Sequence, residues 1–241
     1  MALEVAEQIV AFVERGEIKN AVNIAAVRAE VLPRVAPWLD LAGKLGTLLA
    51  QILPPGGIDE VEIETTGEVA ELAGTPVARA ALAGLLRGFC DVPVNEVNAS
   101  LVADERGLRV VEVKRARGVT FAAAVTLRAR AGGGTRTVKG TIFQVGDQPE
   151  PRIVQIDDFV LDATPEGRLL LIGNADRPGV IGRVGTLLGD RGINVARLHV
   201  GRRHGGGQAL MLWQVDAELD EAFLDEVRRV ANVESAARVI L

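Results

Sequence analysis

Hydrophobic and polar positions in the last third of the chain repeat with strand and helix periods, and together they predict one complete small domain. Residues 169–172 are four consecutive apolar residues suited to a central strand, and apolar positions at helical spacing then run from residue 180 to a helix-terminating Gly192. The same periods predict strands over residues 193–201 and 209–215, joined by a glycine-rich hairpin at 202–207. A helix over 220–230 and a last strand over 233–240 follow. The order βαββαβ predicts a ferredoxin-like domain, an antiparallel sheet with both helices on one face.

The first two thirds of the chain predict a larger domain. Helical periods occur over residues 4–15, 31–53, 77–90 and 95–106, and strand alternation over 61–65, 108–114, 121–130, 135–145 and 152–156. The run at 54–57, PPGG, ends the second helix, and three glycines at 132–134 form a turn between two strands. We therefore expect an α+β fold. A helix and linker at 1–22 precede an α/β domain with a mixed sheet over 23–164, and the ferredoxin-like domain covers 165–241.

The turn between the first strand and the first helix of the small domain carries candidate chemistry. Asp176 offers an acceptor for backbone N–H groups at the helix start, and Pro178 favours the first helical turn. Free N–H groups beside a carboxylate can hold both the carboxylate and the ammonium group of a small amino acid. The same residues also fit a plain helix cap, and the pattern alone favours neither interpretation.

Composition and charge narrow the function classes. Of 241 residues 48% are hydrophobic but only 3% aromatic, so aliphatic side chains must fill the cores. With 27 basic against 32 acidic residues, and no basic patch interleaved with aromatics, nucleic acid is not expected as a partner. Cys90 is the only cysteine, which excludes an internal disulfide and a cysteine metal cluster, and we interpret it as a core residue. Neither a signal pattern nor an apolar run of membrane length is recognisable, so we expect a cytoplasmic protein without a membrane partner.

The motif DRPGVIG, followed by GINV after the predicted helix, resembles the ACT domain, a regulatory module that binds amino acids. The resemblance implies that the Asp176 carboxylate pairs with the ligand's ammonium group, and that the N–H groups of Gly179 and Val180 meet its carboxylate. It also implies that Asn194 reaches the ligand across a dimer interface, and the low strand propensity of asparagine supports a functional role. Asn174 stands where family members often carry histidine or tyrosine, although its amide can still hydrogen-bond a hydroxyl or a carboxylate.

A wider resemblance covers essentially the whole chain. The segments GEIKNAVNIAAV and WLDLAGKLGTLLAQI are similar to the end of the catalytic region of D-3-phosphoglycerate dehydrogenases, and VNEVNASLVADERGLRVVEVK is similar to the intervening domain of their long-chain form. The resemblance implies an intervening domain that binds an anion or substrate, and an ACT domain at which L-serine inhibits the first step of serine synthesis. It also implies a homodimer or tetramer, with a catalytic region or chain as a further partner.

The same resemblance places an anion contact of the intervening domain at Arg152, ahead of an apolar strand. A solvated arginine at a strand end explains this residue equally well, and Thr164 stands where the family has a second basic position. His199 and His204 are interpreted as exposed hairpin residues, because a metal site would need further ligands that the sequence does not place beside them.

The NAD-dependent chemistry of the parent enzymes needs a glycine-rich GxGxxG turn and a histidine–carboxylate pair, and neither is recognisable here. The chain is therefore expected to hold no cofactor and no catalytic centre, and to be either a fragment of the enzyme or a stand-alone regulatory relative. Two alternatives stay open. One is the β part of an iron–sulfur L-serine dehydratase, although that family's serine- and histidine-rich motif near the N-terminus is not found. The other is a free-standing amino-acid-binding regulator of another protein.

Overall fold

The computed structural model describes residues 30–203 and 206–241; the helix predicted at 4–15 and His204 lie outside these ranges. The first domain contains helices α1 (Leu32–Ile52), α2 (Glu68–Arg87) and α3 (Ala99–Glu105), with strands β1 (Ile58–Thr66), β2 (Arg109–Arg115), β3 (Ala124–Ala131), β4 (Gly134–Val145), β5 (Gln148–Ile156) and β6 (Phe159–Ala163). The second contains β7 (Arg168–Ala175), α4 (Val180–Asp190), β8 (Val195–Arg202), β9 (Gln208–Val215), α5 (Glu221–Arg228) and β10 (Val233–Ile240).

The strands of the first domain form one mixed sheet in the order β2-β1-β3-β4-β5-β6. β1 pairs with β2 in parallel, and each of the other neighbouring pairs is antiparallel. Helices α1 and α2 cover one face of this sheet. Leu41, Leu45, Leu48 and Leu49 recur at helical spacing along α1 and are fully buried in the core. The opposite face of the sheet is rich in charged and hydroxyl side chains.

The second sheet is antiparallel, with the order β10-β7-β9-β8, and α4 and α5 pack on one face. Successive residues of β7 serve two cores. Leu170 and Ile172 pack under the helices, whereas Leu169 and Leu171 join the core of the first domain. Burial on both faces explains why four apolar residues stand in a row. The predicted α+β class and the ferredoxin-like second domain are confirmed.

Strand β8 and the end of β10 hold the two domains together. The Ile240 N–H donates to Gln51 Oε1 over 3.0 Å, and Gln51 Nε2 donates back to the Ile240 carbonyl oxygen over 3.0 Å. Gly201 on β8 lies directly against β6, since a Cβ at this position would come within 2.7 Å of the Val160 carbonyl oxygen. The end of β8 is therefore fixed beside the first domain.

Several predicted elements have different bounds, each for a local reason. Helix α2 begins at Glu68, not at residue 77, because it continues through Pro76 with a kink at Ala73 (φ −157°, ψ 32°). Helix α3 starts later than predicted, because Asn95 Oδ1 accepts hydrogen bonds from the N–H groups of Val97 and Asn98 and holds a turn there. Strand β3 also begins three residues late, and β6 was not predicted at all.

One described helix, α2, is long and apolar enough to cross a membrane, contrary to the expectation that no such run exists. Of its most apolar window, 72% is buried inside the fold. Its apolar residues are thus accounted for by packing against α1 and the sheet.

Candidate functional site at the strand-to-helix turn

The site is built around the turn between β7, which ends at Ala175, and α4, which begins at Val180. Gly179 is the N-cap residue in a left-handed conformation (φ +87°), which glycine adopts without a Cβ penalty, and its carbonyl accepts the Arg183 N–H over 3.1 Å. No side chain of the described residues caps α4. The helix cap that the sequence left open as one interpretation of Asp176 is therefore not formed, and the prediction that Pro178 lies inside the first turn is wrong, because Pro178 precedes the N-cap. Both follow from the helix starting later than the sequence suggested.

Asp176 is held at the edge of the turn by the β8–β9 hairpin. Its N–H donates to the Gly207 carbonyl oxygen over 3.1 Å, and its Oδ2 lies 3.3 Å from Arg202 Nε. The Asp176 side chain is 29% exposed and the Arg202 side chain 70% exposed. An ion pair this open to water contributes little stability, about 0–1 kcal/mol. The backbone hydrogen bond to Gly207 holds Asp176 in position. Its carboxylate can still accept another cation, because the ion pair with Arg202 is weak.

The side-chain oxygen of Asn174 is a buried acceptor beside the turn. Its residue is only 4% exposed, and its Nδ2 donates to the Ala175 carbonyl oxygen over 2.7 Å. Its Oδ1 is buried and accepts no hydrogen bond from the described residues. A buried acceptor without a donor costs roughly 1–3 kcal/mol, and such an atom in a native fold calls for an explanation such as a missing water or ligand.

The start of α4 adds positive potential to the turn. The first N–H groups of an α-helix have no partner within the helix, and the helix dipole is positive at this end. The Arg183 guanidinium lies over Gly179, where a Cβ would come within 2.9 Å of Nη1, and its Nη2 donates to the Ala231 carbonyl oxygen over 3.1 Å. An anion beside Gly179 and Val180 would therefore meet backbone donors and a guanidinium together.

Sequence reasoning missed both arginines of the site. Arg183 lies four residues after Gly179, one helical turn on, and this spacing was the available signal. Arg202 reaches Asp176 through strand register, because Asn174 pairs with Ala209 on β9 and Ala209 pairs with Arg202 on β8. Register across three strands is not visible in the sequence.

Asn194 lies apart from the turn. It is exposed, it immediately precedes β8, and its N–H donates to Asp216 Oδ1 over 3.1 Å. Arg202 lies eight residues further along the extended strand, a distance of roughly 26 Å at about 3.3 Å per residue. Within one chain Asn194 therefore cannot complete the Asp176 site. Only the Asn194 of a second chain could do so.

Arg152 is neutralised by neighbours within the chain. It forms ion pairs with Glu150 and, from its Nε, with Asp162 Oδ1 at 3.2 Å, and its Nη1 donates to the Pro151 carbonyl oxygen over 3.0 Å. These contacts account for the charge of Arg152. Anion binding by Arg152 stays a prediction, and it would require exchange of these carboxylates.

His199 is not the exposed hairpin residue that the sequence suggested. It lies on β8 facing the first domain, and its Nε2 is buried without a partner among the described residues. Burial lowers its pKa below the ordinary value of 6.5, which Arg197 and Arg152 reinforce and Asp162 opposes. Among the described residues no cluster of histidine, cysteine, aspartate or glutamate could hold a metal ion. Cys90 packs against the first core, half-buried.

A pH dependence of stability follows from His199. Because the fold favours the neutral ring, the unfolded chain binds the proton more tightly, and stability should fall as pH drops through 6.5 towards the lowered pKa. Above 6.5 His199 should contribute no pH dependence. Urea unfolding at pH of about 7.5 and about 5.5 measures the loss, and His199→Gln should reduce it. An equal loss in both proteins would contradict the assignment.

With the geometry in hand, comparison with known families defines the class of the chain. Its second domain, residues 168–232, matches the model of the ACT domain. Its first domain, residues 34–157, matches the model of the D-3-phosphoglycerate dehydrogenase intervening domain. The chain thus belongs to the family of the D-3-phosphoglycerate dehydrogenase intervening domain, joined to an ACT domain, and corresponds to the C-terminal regulatory region of such dehydrogenases.

Curated relatives agree over the full length of the chain. D-3-phosphoglycerate dehydrogenase of Synechocystis is 35% identical over 242 residues, which covers 100% of this chain and 43% of the relative. The protein of the same name from Bacillus subtilis is 33% identical and is covered to 45%, and that of Methanocaldococcus jannaschii is 34% identical and is covered to 44%. The chain therefore spans less than half the length of these relatives.

Proposed function

We propose that this chain is the amino-acid-sensing region of a D-3-phosphoglycerate dehydrogenase and that it binds L-serine at the strand-to-helix turn. The observation that carries the proposal is the buried Oδ1 of Asn174, which has no donor among the described residues and is close in sequence to the Asp176 carboxylate and the start of α4. The ammonium group of an amino acid supplies donors to those oxygens. Its carboxylate suits the N–H groups of Gly179 and Val180 and the Arg183 guanidinium.

Binding of the ligand would replace the ion pair between Asp176 and Arg202 with an ion pair between Asp176 and the ligand's ammonium group. In the free chain Arg202 occupies one oxygen of the carboxylate. The ligand's ammonium group takes over part of that role, and Arg202 is released or turns towards the ligand's carboxylate. Since the pair is exposed, little free energy opposes the exchange.

Regulation requires a second copy of the chain. A site completed by the partner's Asn194 links ligand occupancy to the relative position of two subunits, and this linkage allows a site without reacting groups to control catalysis elsewhere. The proposed setting is a cytoplasmic homodimer or tetramer that acts on an NAD-dependent catalytic region. No cofactor is assigned to the described residues.

The test of the proposal is titration calorimetry of the chain with L-serine. We expect measurable heat at millimolar L-serine and a raised thermal midpoint, because a ligand that prefers the folded dimer stabilises it by mass action. Asp176→Ala should abolish both signals and leave the fold intact, since the side chain caps no helix. Asp190→Ala, at the far end of α4, is the matched control. If no common amino acid gives heat at millimolar concentration, the assignment fails.

Assembly is predicted from the second sheet. β8 is an edge strand whose Val200 side chain is 40% exposed, and Ile181 on the neighbouring helix α4 is 47% exposed. Proteins usually cover an open strand edge that carries apolar residues. Sedimentation equilibrium at micromolar concentration should give the mass of two or four chains, and Asn194→Ala should weaken the association. The mass of a single chain would contradict the proposal.

A further inference from the structure

Exposed apolar side chains are concentrated at one end of the first sheet, on the face opposite to α1 and α2. Phe143 and Val145 on β4 are 41% and 55% exposed, and Val119, between β2 and β3, is fully exposed. The rings of Phe121 and Phe143 meet edge to face, with centroids 6.2 Å apart. These four residues are here called the apolar strip. Adjoining apolar side chains that are open to water mark a surface that another molecule covers.

The strip is already ordered in the single chain. Ile142 packs against the first core, so its neighbours Thr141 and Phe143 project from the opposite face of β4. The Thr141 hydroxyl donates to the Ala123 carbonyl oxygen over 2.7 Å and ties β4 to the segment that carries Phe121. The two phenylalanines are thereby held side by side, and a surface that is fixed in advance loses less entropy on binding.

The two ends of the apolar strip carry opposite charges. Arg117 lies beyond Val119, two residues after the edge strand β2, and Asp147 lies beyond Val145, in the turn between β4 and β5. Both charged residues are exposed, and within residues 30–203 and 206–241 neither forms an ion pair or a side-chain hydrogen bond. When a second copy is turned through 180°, its acidic end meets the basic end of the first, so the surface is complementary to itself.

We propose that the apolar strip is an interface between two copies of this chain, with the paired phenylalanines at the two-fold axis. Arg117 of each copy pairs with the partner's Asp147, and Val119 packs against the partner's Val145. Aromatic side chains at the centre of such an interface supply most of the binding free energy. The charged ends exclude water from the centre and fix the relative orientation of the two copies.

This interface is distinct from the assembly predicted at the edge strand β8. All residues of the apolar strip belong to the first domain, whereas β8 belongs to the second. One two-fold interface produces a dimer, and two different two-fold interfaces on the same chain close a tetramer. The strip involves no residue of the proposed amino-acid site, so this inference and the proposed function are tested independently.

Phe143→Asp in the full chain tests the centre of the interface. We expect the association constant from sedimentation equilibrium to fall at least tenfold, because a carboxylate would be buried against the partner's apolar side chains. The average mass then falls from four chains towards two, or from two towards one if β8 does not associate. Leu101→Asp on α3, where the leucine is 60% exposed, is the matched control and should associate as the parent chain does. Unchanged association in Phe143→Asp would overturn the interface.

Arg117→Glu and Asp147→Arg test whether the occupant is a second copy. Each variant alone places like charges together at both ends of the interface and should associate at least tenfold more weakly than the parent chain. An equimolar mixture of the two variants restores both ion pairs between unlike copies and should recover the association of the parent chain. A mixture that associates as weakly as its components would overturn the two-fold pairing. Association of either variant at the level of the parent chain would overturn the pairing of Arg117 with Asp147.

Discussion

Replacing Gly84 by alanine should lower the free energy of unfolding by about 3 kcal/mol or more, because a single methyl group would separate the two long helices. A Cβ at Gly84 on α2 would lie 2.0 Å from the Gly43 carbonyl oxygen on α1. One turn away, a Cβ at Gly46 would lie 2.1 Å from the Ala81 carbonyl oxygen. Both contacts involve backbone atoms of the facing helix, which no side-chain rotation can relieve. The helices must move apart, and the leucine core beneath them must loosen.

Gly43→Ala is the matched control for this prediction. A Cβ at Gly43 would meet the Ala80 carbonyl oxygen at 3.8 Å, which is an ordinary contact. Since alanine favours a helix over glycine by up to about 1 kcal/mol, Gly43→Ala should leave stability unchanged or raise it slightly. Urea unfolding followed by circular dichroism measures both variants. Equal midpoints for Gly84→Ala and Gly43→Ala would show that the close crossing does not limit stability.

The sequence predicts well those elements whose apolar period is read without interruption. Helix α1 was predicted to within a residue at each end, because its leucines repeat at helical spacing and PPGG stops it. Residues 169–172 of β7 were predicted because burial on both faces produces a continuous apolar run. The strand nevertheless continues to Ala175, so Asn174 lies in the strand and not in the predicted turn. In these places local pattern and tertiary packing demand the same structure.

The elements that were missed are those in which packing overrides local preference. The first half of α2 contains Gly74 and Pro76, which argue against a helix, yet it is buried against the sheet. β6 has only five residues and is half exposed, so its alternation is too short to separate from a loop. Composition alone cannot supply the long-range contacts that decide these segments.

Some features of the candidate site were likewise predictable from the sequence, and others depend on the tertiary structure. The turn and its glycine were recognised from DRPG, because a glycine with positive φ leaves a mark in the sequence. The partners of Asp176 and Asn174 were not recognised, because Arg202 reaches Asp176 through strand register across β9, and the burial of Asn174 Oδ1 without a donor from the described residues follows only from the packed fold. The helix cap that the sequence also allowed for Asp176 is not formed, and Asn174 and Asp176 stay predicted ligand contacts.

Replacing Asn174 by leucine should weaken the binding of L-serine without lowering the free energy of unfolding. Leucine has a similar size and removes the buried Oδ1, which accepts no hydrogen bond from the described residues and costs roughly 1–3 kcal/mol. The hydrogen bond from Nδ2 to the Ala175 carbonyl oxygen is also lost, but that oxygen still accepts the Arg177 N–H over 2.8 Å. We therefore expect the free energy of unfolding to stay level or to rise.

Binding of L-serine should fall at least a hundredfold in the same variant, because the ligand's donors would face an apolar side chain and remain unpaired in a buried place. Calorimetry and urea unfolding on one preparation provide both numbers, and Gln144→Leu, at an exposed position of β4 in the first domain, controls for a general effect of introducing leucine. A purely structural asparagine would give the reverse result, with stability lost and binding retained. That outcome would remove Asn174 from the site and leave its buried oxygen as a place for a water molecule.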